Sequence, residues 1–168
     1  MALAGLLVVV VRPPARLTGL EAARGHRVFG GTGRAVREVT VSWDGKTLRA
    51  RRRAAGWEVD GGDATAETAS ALDELVETLA RLRALDVFTP HDATSYGLAP
   101  PRGTIALRRG THVRRLLVGY ANGAGSAFYA RRDIDGRPDA RVLQVGSGLA
   151  STIERVLYAR DRQRPESG

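Results

Sequence analysis

The chain has 168 residues, 43% of them hydrophobic and 26% charged, an ordinary balance for one globular domain with its own core. It contains no cysteine, which excludes disulfides, thiolate metal sites and cysteine nucleophiles together. The net charge of +8 raises nucleic acid as a partner, yet 25 of the 26 basic residues are arginine, Lys46 being the exception, and they are spread along the whole chain. Solvated strand faces account for that spread more simply than a phosphate-binding surface, so nucleic acid is not the expected partner.

Ala2 to Val11 is an apolar run of ten residues ending in four valines, followed by Arg12, Pro13 and Pro14. A membrane-spanning helix needs about 20 apolar residues, so this run does not cross a bilayer by itself. It lacks the basic start and small-residue cleavage site of a signal peptide. Two readings stand: a buried β-branched strand, or the back half of a membrane anchor whose beginning is missing.

Gly30, Gly31 and Gly33 form a joint before the first strand. Val36 to Trp43 alternates, with Val39 and Val41 on one face and Glu38, Thr40 and Ser42 on the other. Asp44–Gly45 is a hairpin turn, because both residues tolerate positive φ. Lys46 to Arg53 returns as the partner strand, and Trp57 to Val59 starts a third, with Trp57 as a core anchor. After a turn at Gly61 to Thr65 that can cap a helix, Ala66 to Leu85 carries Leu72, Leu75, Val76, Leu79, Leu82 and Leu85 on one helical stripe. Pro90 to Pro101 reads as a loop. Strands are then expected at Thr104 to Arg109, Val113 to Gly119, Ala127 to Arg132 and Arg141 to Val145, with a closing helix at Ser151 to Arg162. The tail from Gln163 is expected to fray.

Strands this close in sequence pair antiparallel, because parallel pairing needs a longer crossover. The layout predicts an α+β fold, with short hairpin-connected strands in antiparallel sheets and two main helices. Each helix follows a cluster of strands, which suggests two similar halves. The expected organisation is a lead-in or truncated anchor over 1–27, one domain over 28–162 and a tail over 163–168. Adjacent arginines, as at Arg108–Arg109, Arg114–Arg115 and Arg131–Arg132, are expected to point to opposite faces of their strands.

Three patterns invite a chemical reading, and none carries it. Gly146 to Ser151 (GSGLAS) follows a strand and opens a helix, but Ser151 stands where a third glycine belongs and no further strand can complete a dinucleotide-binding unit. A tight strand-to-helix turn is expected instead. His91, Asp92 and Ser95 lie within one short loop, and nearness in sequence does not produce triad geometry; Asp92 and Ser95 are expected to bond the turn backbone. Asp133, Asp135, Gly136 and Asp139 fail the calcium-loop spacing and fit a polar hairpin tip. His26, His91 and His112 lack paired zinc spacing. No catalytic residue, cofactor or metal is expected.

The order of short signatures is more specific than any one of them. GWEV occupies Gly56 to Val59, YGLAPPR Tyr96 to Arg102, LLVG Leu116 to Gly119, FYAR Phe128 to Arg131 and VLQV Val142 to Val145. Together they resemble the domain-of-unknown-function family numbered 4340, whose members occur in bacterial proteins linked to gliding-motility-type ABC transport systems. The resemblance marks Trp57, Tyr96, Gly97, Leu98, Pro100, Gly119 and Tyr129 as structural signature positions. Gly97 would allow a sharp corner that Tyr96 and Leu98 pin to the core. It also favours the anchor reading of the N-terminus, since such proteins usually begin with a transmembrane helix. Arg12 to Arg16, Leu17 to Arg24 and Val28–Phe29 would then be the basic stretch, short helix and Val-Phe pair that follow it.

The function this implies is a non-enzymatic accessory module on the extracytoplasmic face of the cytoplasmic membrane. It would act by protein–protein contacts with an ABC permease or an associated component. Arg51, Arg53, Arg102, Arg114 and Arg131 are the candidate contact residues, and an anionic lipid surface is a secondary partner. The alternative is a soluble module binding a ligand or envelope polymer, which a buried pocket with convergent arginines and Tyr96 or Tyr129 would favour.

Overall fold

The computed structural model describes residues 26–163. The apolar run Ala2–Val11, the short helix expected at Leu17–Arg24 and most of the expected tail lie outside them. Alternation sets the strands. In β1 (Glu38–Trp43), Val39, Val41 and Trp43 are buried while Glu38, Thr40 and Ser42 are half-exposed. Asp44 and Gly45 turn the chain at φ 47° and 80° into β2 (Lys46–Arg53), with Val41 opposite Leu48. β3 (Gly56–Val59) and a two-residue β4 (Gly62–Asp63) complete a meander.

Helix α1 (Ala66–Arg81) starts at Thr65, whose Oγ1 accepts from the Thr68 amide at 3.3 Å. It buries Leu72, Leu75, Val76 and Leu79, each leucine contributing roughly 1.5–3 kcal/mol of burial. The apolar spacing continues to Leu85, but the helix stops at Arg81 because the next backbone groups take other partners. The Leu82 carbonyl accepts from Val28 N (2.9 Å), Ala84 N donates to the His26 carbonyl (3.0 Å), and Leu85 N donates to the Gln144 carbonyl (2.8 Å). Leu85 is therefore 55% exposed and not part of the stripe. Those residues lead instead into β5 (Asp86–Phe88), a strand the helical spacing conceals.

The rest follows the expected alternation: β6 (Gly103–Arg109), β7 (His112–Ala121) and β8 (Ala127–Ile134) are longer than expected, a two-residue β9 (Arg137–Pro138) is added, and β10 (Val142–Gly146) is shifted by one residue. Helix α2 (Gly148–Gln163) begins three residues before the expected Ser151 and buries Leu149 in doing so. All the strands form one ten-stranded antiparallel sheet in the order β4-β3-β2-β1-β6-β7-β8-β10-β5, with β9 paired to β8. Two meanders thus run outward from a central pair, β1 and β6, whose register sets Val41 opposite Ile105.

The two helices pack on each other and share one core with the sheet, built from Val39, Val41, Leu48, Ile105, Leu107, Leu116, Leu143 and Val145 on the strands and Leu72, Leu75, Ile153 and Val156 on the helices. The alternate strand residues therefore lie on a face that neither helix covers. The fold is α+β with all strands antiparallel, and the two halves join in one sheet rather than forming separate ones.

Candidate functional site

The uncovered face is the functional candidate. At its centre, Thr40 and Ser42 of β1 stand opposite Ala106 and Thr104 of β6, all half-exposed. These side chains are short, so a partner could approach the strands closely. On either side the face carries charges paired to each other. Glu38 accepts from Arg51 (3.1 Å) and from Arg108 (2.9 Å), linking β2, β1 and β6 across the seam. Arg53 bonds Glu58 at 2.8 Å, and Arg115 lies 3.6 Å from Asp133. Such exposed pairs contribute little stability, but they fix a pattern of charge.

Adjacent arginines divide between the faces as expected. Arg108 bonds Glu38 on the open side, whereas Arg109 donates to the Gly30 carbonyl. Arg114 donates to the Phe29 carbonyl, while Arg115 faces Asp133. Arg132 bonds Asp139 at 2.8 Å, and Arg131 lies on the other side. The five arginines singled out from the sequence are consequently not one surface. Arg51, Arg53 and Arg131 belong to the open face, and Arg114 holds the N-terminal segment on the helix side. Arg102 is fixed by two bonds to Asp44 (2.8 and 2.6 Å), with its guanidinium 5.0 Å from the Trp43 ring centroid. That bidentate hydrogen bonding holds the Asp44 carboxyl below its usual pKa.

Most of the signature positions meet in one corner. Phe88, Tyr96 and Tyr129 pack edge to face, with Tyr96 and Tyr129 4.8 Å apart, on the uncovered side of β5 and β8. Gly97 turns left-handed at φ 68° against the Tyr120 ring, and Leu98 is buried beyond it. Pro100 follows a cis peptide, and Leu98 bridges Pro101. Gly119 lies under this turn, since a Cβ there would collide with the Tyr96 carbonyl and the Gly97 backbone. The loop after β5 thus folds back over the second half of the open face and plugs it with aromatic rings. Trp57 sits apart, its Nε1 donating to Asp73 at 3.0 Å and its ring stacked under Arg52 at 4.3 Å.

The three patterns set aside from sequence take structural roles. Asp92 accepts from the Thr94 and Ser95 amides (3.0 and 3.2 Å) and from the Ser95 hydroxyl (3.1 Å). The Thr94 bonds lead in lowering its pKa. It therefore caps the short turn Thr94–Tyr96 rather than orienting a histidine. At the expected polar hairpin tip, Asp133 accepts from Gly136 N, Asp135 from His112 and Val113 N, and Asp139 from Arg132 and Arg141. The GSGLAS turn closes through Ser147 N to the Ser126 carbonyl at 3.0 Å. Among the described residues no three His, Asp or Glu groups are placed to hold a metal, and no helix is long and apolar enough to cross a membrane.

An antiparallel sheet with both helices on one side and a bare, small-residue seam on the other defines a two-layer α+β module that presents a surface. The chain belongs to the DUF4340 family, described as a domain of unknown function, whose model matches residues 18–101. That match covers the first meander, α1, β5 and the YGLAPPR corner; the LLVG, FYAR and VLQV strands lie beyond it. The chain matches no curated protein and no solved structure.

Proposed function

We propose that the protein is a non-enzymatic, membrane-associated accessory module of an ABC-type transport system on the extracytoplasmic face, docking a protein partner on its uncovered sheet face. The observation that carries this reading is the seam itself: Thr40, Ser42, Thr104 and Ala106 form a half-exposed, short-chained strip across the two central strands. Membership of the DUF4340 family supports the transport setting through the resemblance described above. An antiparallel face with one side solvated is a stable platform that a partner can cover without unfolding either protein. The alternative of a ligand-binding module gains nothing from Tyr96 and Tyr129, because these rings fill the space between them with each other and Phe88.

The test is affinity purification of the full chain from crosslinked membranes of its host. It compares the native protein with Ser42→Arg/Thr104→Arg, which sets two long cations on the seam. Permease and ATPase subunits should be enriched over a control bait, and the double variant should recover them several-fold less. Absence of transporter subunits, or equal recovery by the double variant, refutes the proposal.

A further inference from the structure

Most arginines among the described residues rest on a carboxylate, including Arg51, Arg102, Arg108, Arg141 and Arg155. Several do not, and three of these converge on one groove. Arg27, Arg34, Arg81 and Arg83 line an open groove of about 800 Å³ in which Glu77 is the single acid, so the lining carries 4 − 1 = +3 charges. Glu77 is 3.4 Å from Arg81. Arg27, Arg34 and Arg83 make no side-chain hydrogen bond or ion pair among the described residues, and all three are exposed.

The backbone forces this convergence. Arg27 and Arg83 face each other in an antiparallel bridge, and Gly30 and Gly31, at φ 64° and 74°, turn the chain into the short helix Gly33–Ala35 that carries Arg34. Gly33 packs so closely on Val76 and Glu77 of α1 that a Cβ would meet them, which holds Arg34 near the end of that helix. Like charges gathered this way raise the local positive potential and favour an anion. The preceding stretch is itself net positive: Arg12, Arg16 and Arg24 against Glu21 give 3 − 1 = +2.

We propose that this groove binds the phosphate headgroups of anionic phospholipids in the bilayer that receives the apolar run Ala2–Val11. This inference rests on the membrane-associated reading above. Arg27 follows Val11 by 16 residues, a reach of up to about 55 Å when fully extended, so the linker is long enough for the groove to meet the headgroup layer. A local cluster also fits headgroups better than a nucleic acid, whose regular phosphates call for a continued cationic track. Arginine binds phosphate through paired N–H donors, and each basic residue at an anionic surface adds roughly fivefold to partitioning.

The test measures binding of the full chain to phosphatidylglycerol-containing and to purely phosphatidylcholine vesicles, and reads the ratio of the two affinities. Binding to the zwitterionic vesicles reports the apolar run, whereas the ratio reports the groove. Arg27→Gln/Arg34→Gln/Arg83→Gln should lower the ratio on the order of tenfold to a hundredfold. Arg37→Gln/Arg49→Gln/Arg137→Gln, which removes the same charge elsewhere, should keep it within a few-fold. Should the triple variant fold poorly, Arg34→Gln alone should still cost about fivefold.

A ratio unchanged in the groove variants, or lowered equally by the distant triple, overturns the proposal. So does tight binding of inorganic pyrophosphate with no lipid preference, which would assign the groove to a soluble phosphate. A failed subunit pull-down leaves the vesicle ratio measurable, so the two proposals fail separately.

Discussion

The two meanders follow the same path and finish differently. Each begins at the central seam, runs outward through hairpins and ends in a helix that returns over the same face. The first half ends in β4, two residues long, and its open face carries mostly paired charges and short polar side chains. The second half ends in a five-residue β10, which is covered in turn by β5, and its open face is plugged by Phe88, Tyr96 and Tyr129. The finishing pieces of the second half come from chain that follows α1. One topology therefore yields a bare surface on one side and a sealed one on the other, and the difference lies in a single long connection rather than in the strands.

The strongest way to break this comparison is Trp43→Ala. Trp43 is 2% exposed on β1, yet it packs against Phe128 of β8 at 6.0 Å, so it ties the first half to the second. Its loss should cost about 3–5 kcal/mol in denaturant melts. The unfolding of both halves should remain a single transition; two separated transitions would show that the halves are independent.

Gly119→Ala comes next. The added Cβ meets backbone rather than a flexible side chain, so the YGLAPPR corner must lift, at a cost of about 3 kcal/mol. Hydrogen exchange should rise over residues 93–101 and stay unchanged in β1 to β3. Uniform loss of protection would contradict a sealed second half placed over a shared core.

Asp139→Asn sharpens the comparison through pH. Bonds from Arg141 first, and from Arg132, hold the Asp139 carboxyl far below its usual range. Its contribution is thus present above the unfolded pKa and lost only as pH falls through the depressed folded value. The variant should lose roughly 1.5–3 kcal/mol near neutrality, with the deficit vanishing in strong acid. His26 reports the same cluster from the N-terminal side. Burial, then Arg132 and Arg141, lower its pKa from 6.5, while Asp139 opposes them. Its neutral form is favoured by the fold, so this stability is present above 6.5 and lost as pH falls below that, through the lowered folded value. Removing the Asp139 charge should lower the His26 pKa further in NMR titrations; an increase would disprove the coupling.

Local rules were sufficient wherever local forces decide. The alternation in β1, the Asp44–Gly45 turn and the leucine stripe of α1 through Leu79 are all legible in the sequence because the same few residues both carry the pattern and obey it. The helix end is not. Leu82 and Leu85 keep the helical spacing, but hydrogen bonds to His26, Val28 and Gln144 pull their backbone into sheet-like contacts. The strand β5 and the pairing of β1 with β6 escape for the same reason: partners tens of residues away leave no periodic mark. At the candidate surfaces, the splitting of adjacent arginines between faces follows from strand geometry. The convergence of Arg27, Arg34 and Arg83 does not, because it depends on a bridge between the N-terminal segment and the end of α1.

That bridge also determines where the fold would yield under tension. A pull transmitted through the N-terminal segment reaches Arg27 and Arg83 first, where two backbone hydrogen bonds, Val28 N to Leu82 O and Ala84 N to His26 O, connect it to the chain entering β5. Beyond them the load follows the chain past the Phe29 and Gly30 carbonyls, held by Arg114 and Arg109, into β1 at the central seam. The described residues thus carry a weak mechanical link in series with a strong one, and force applied from a tether would open the outer link while the central ladder held.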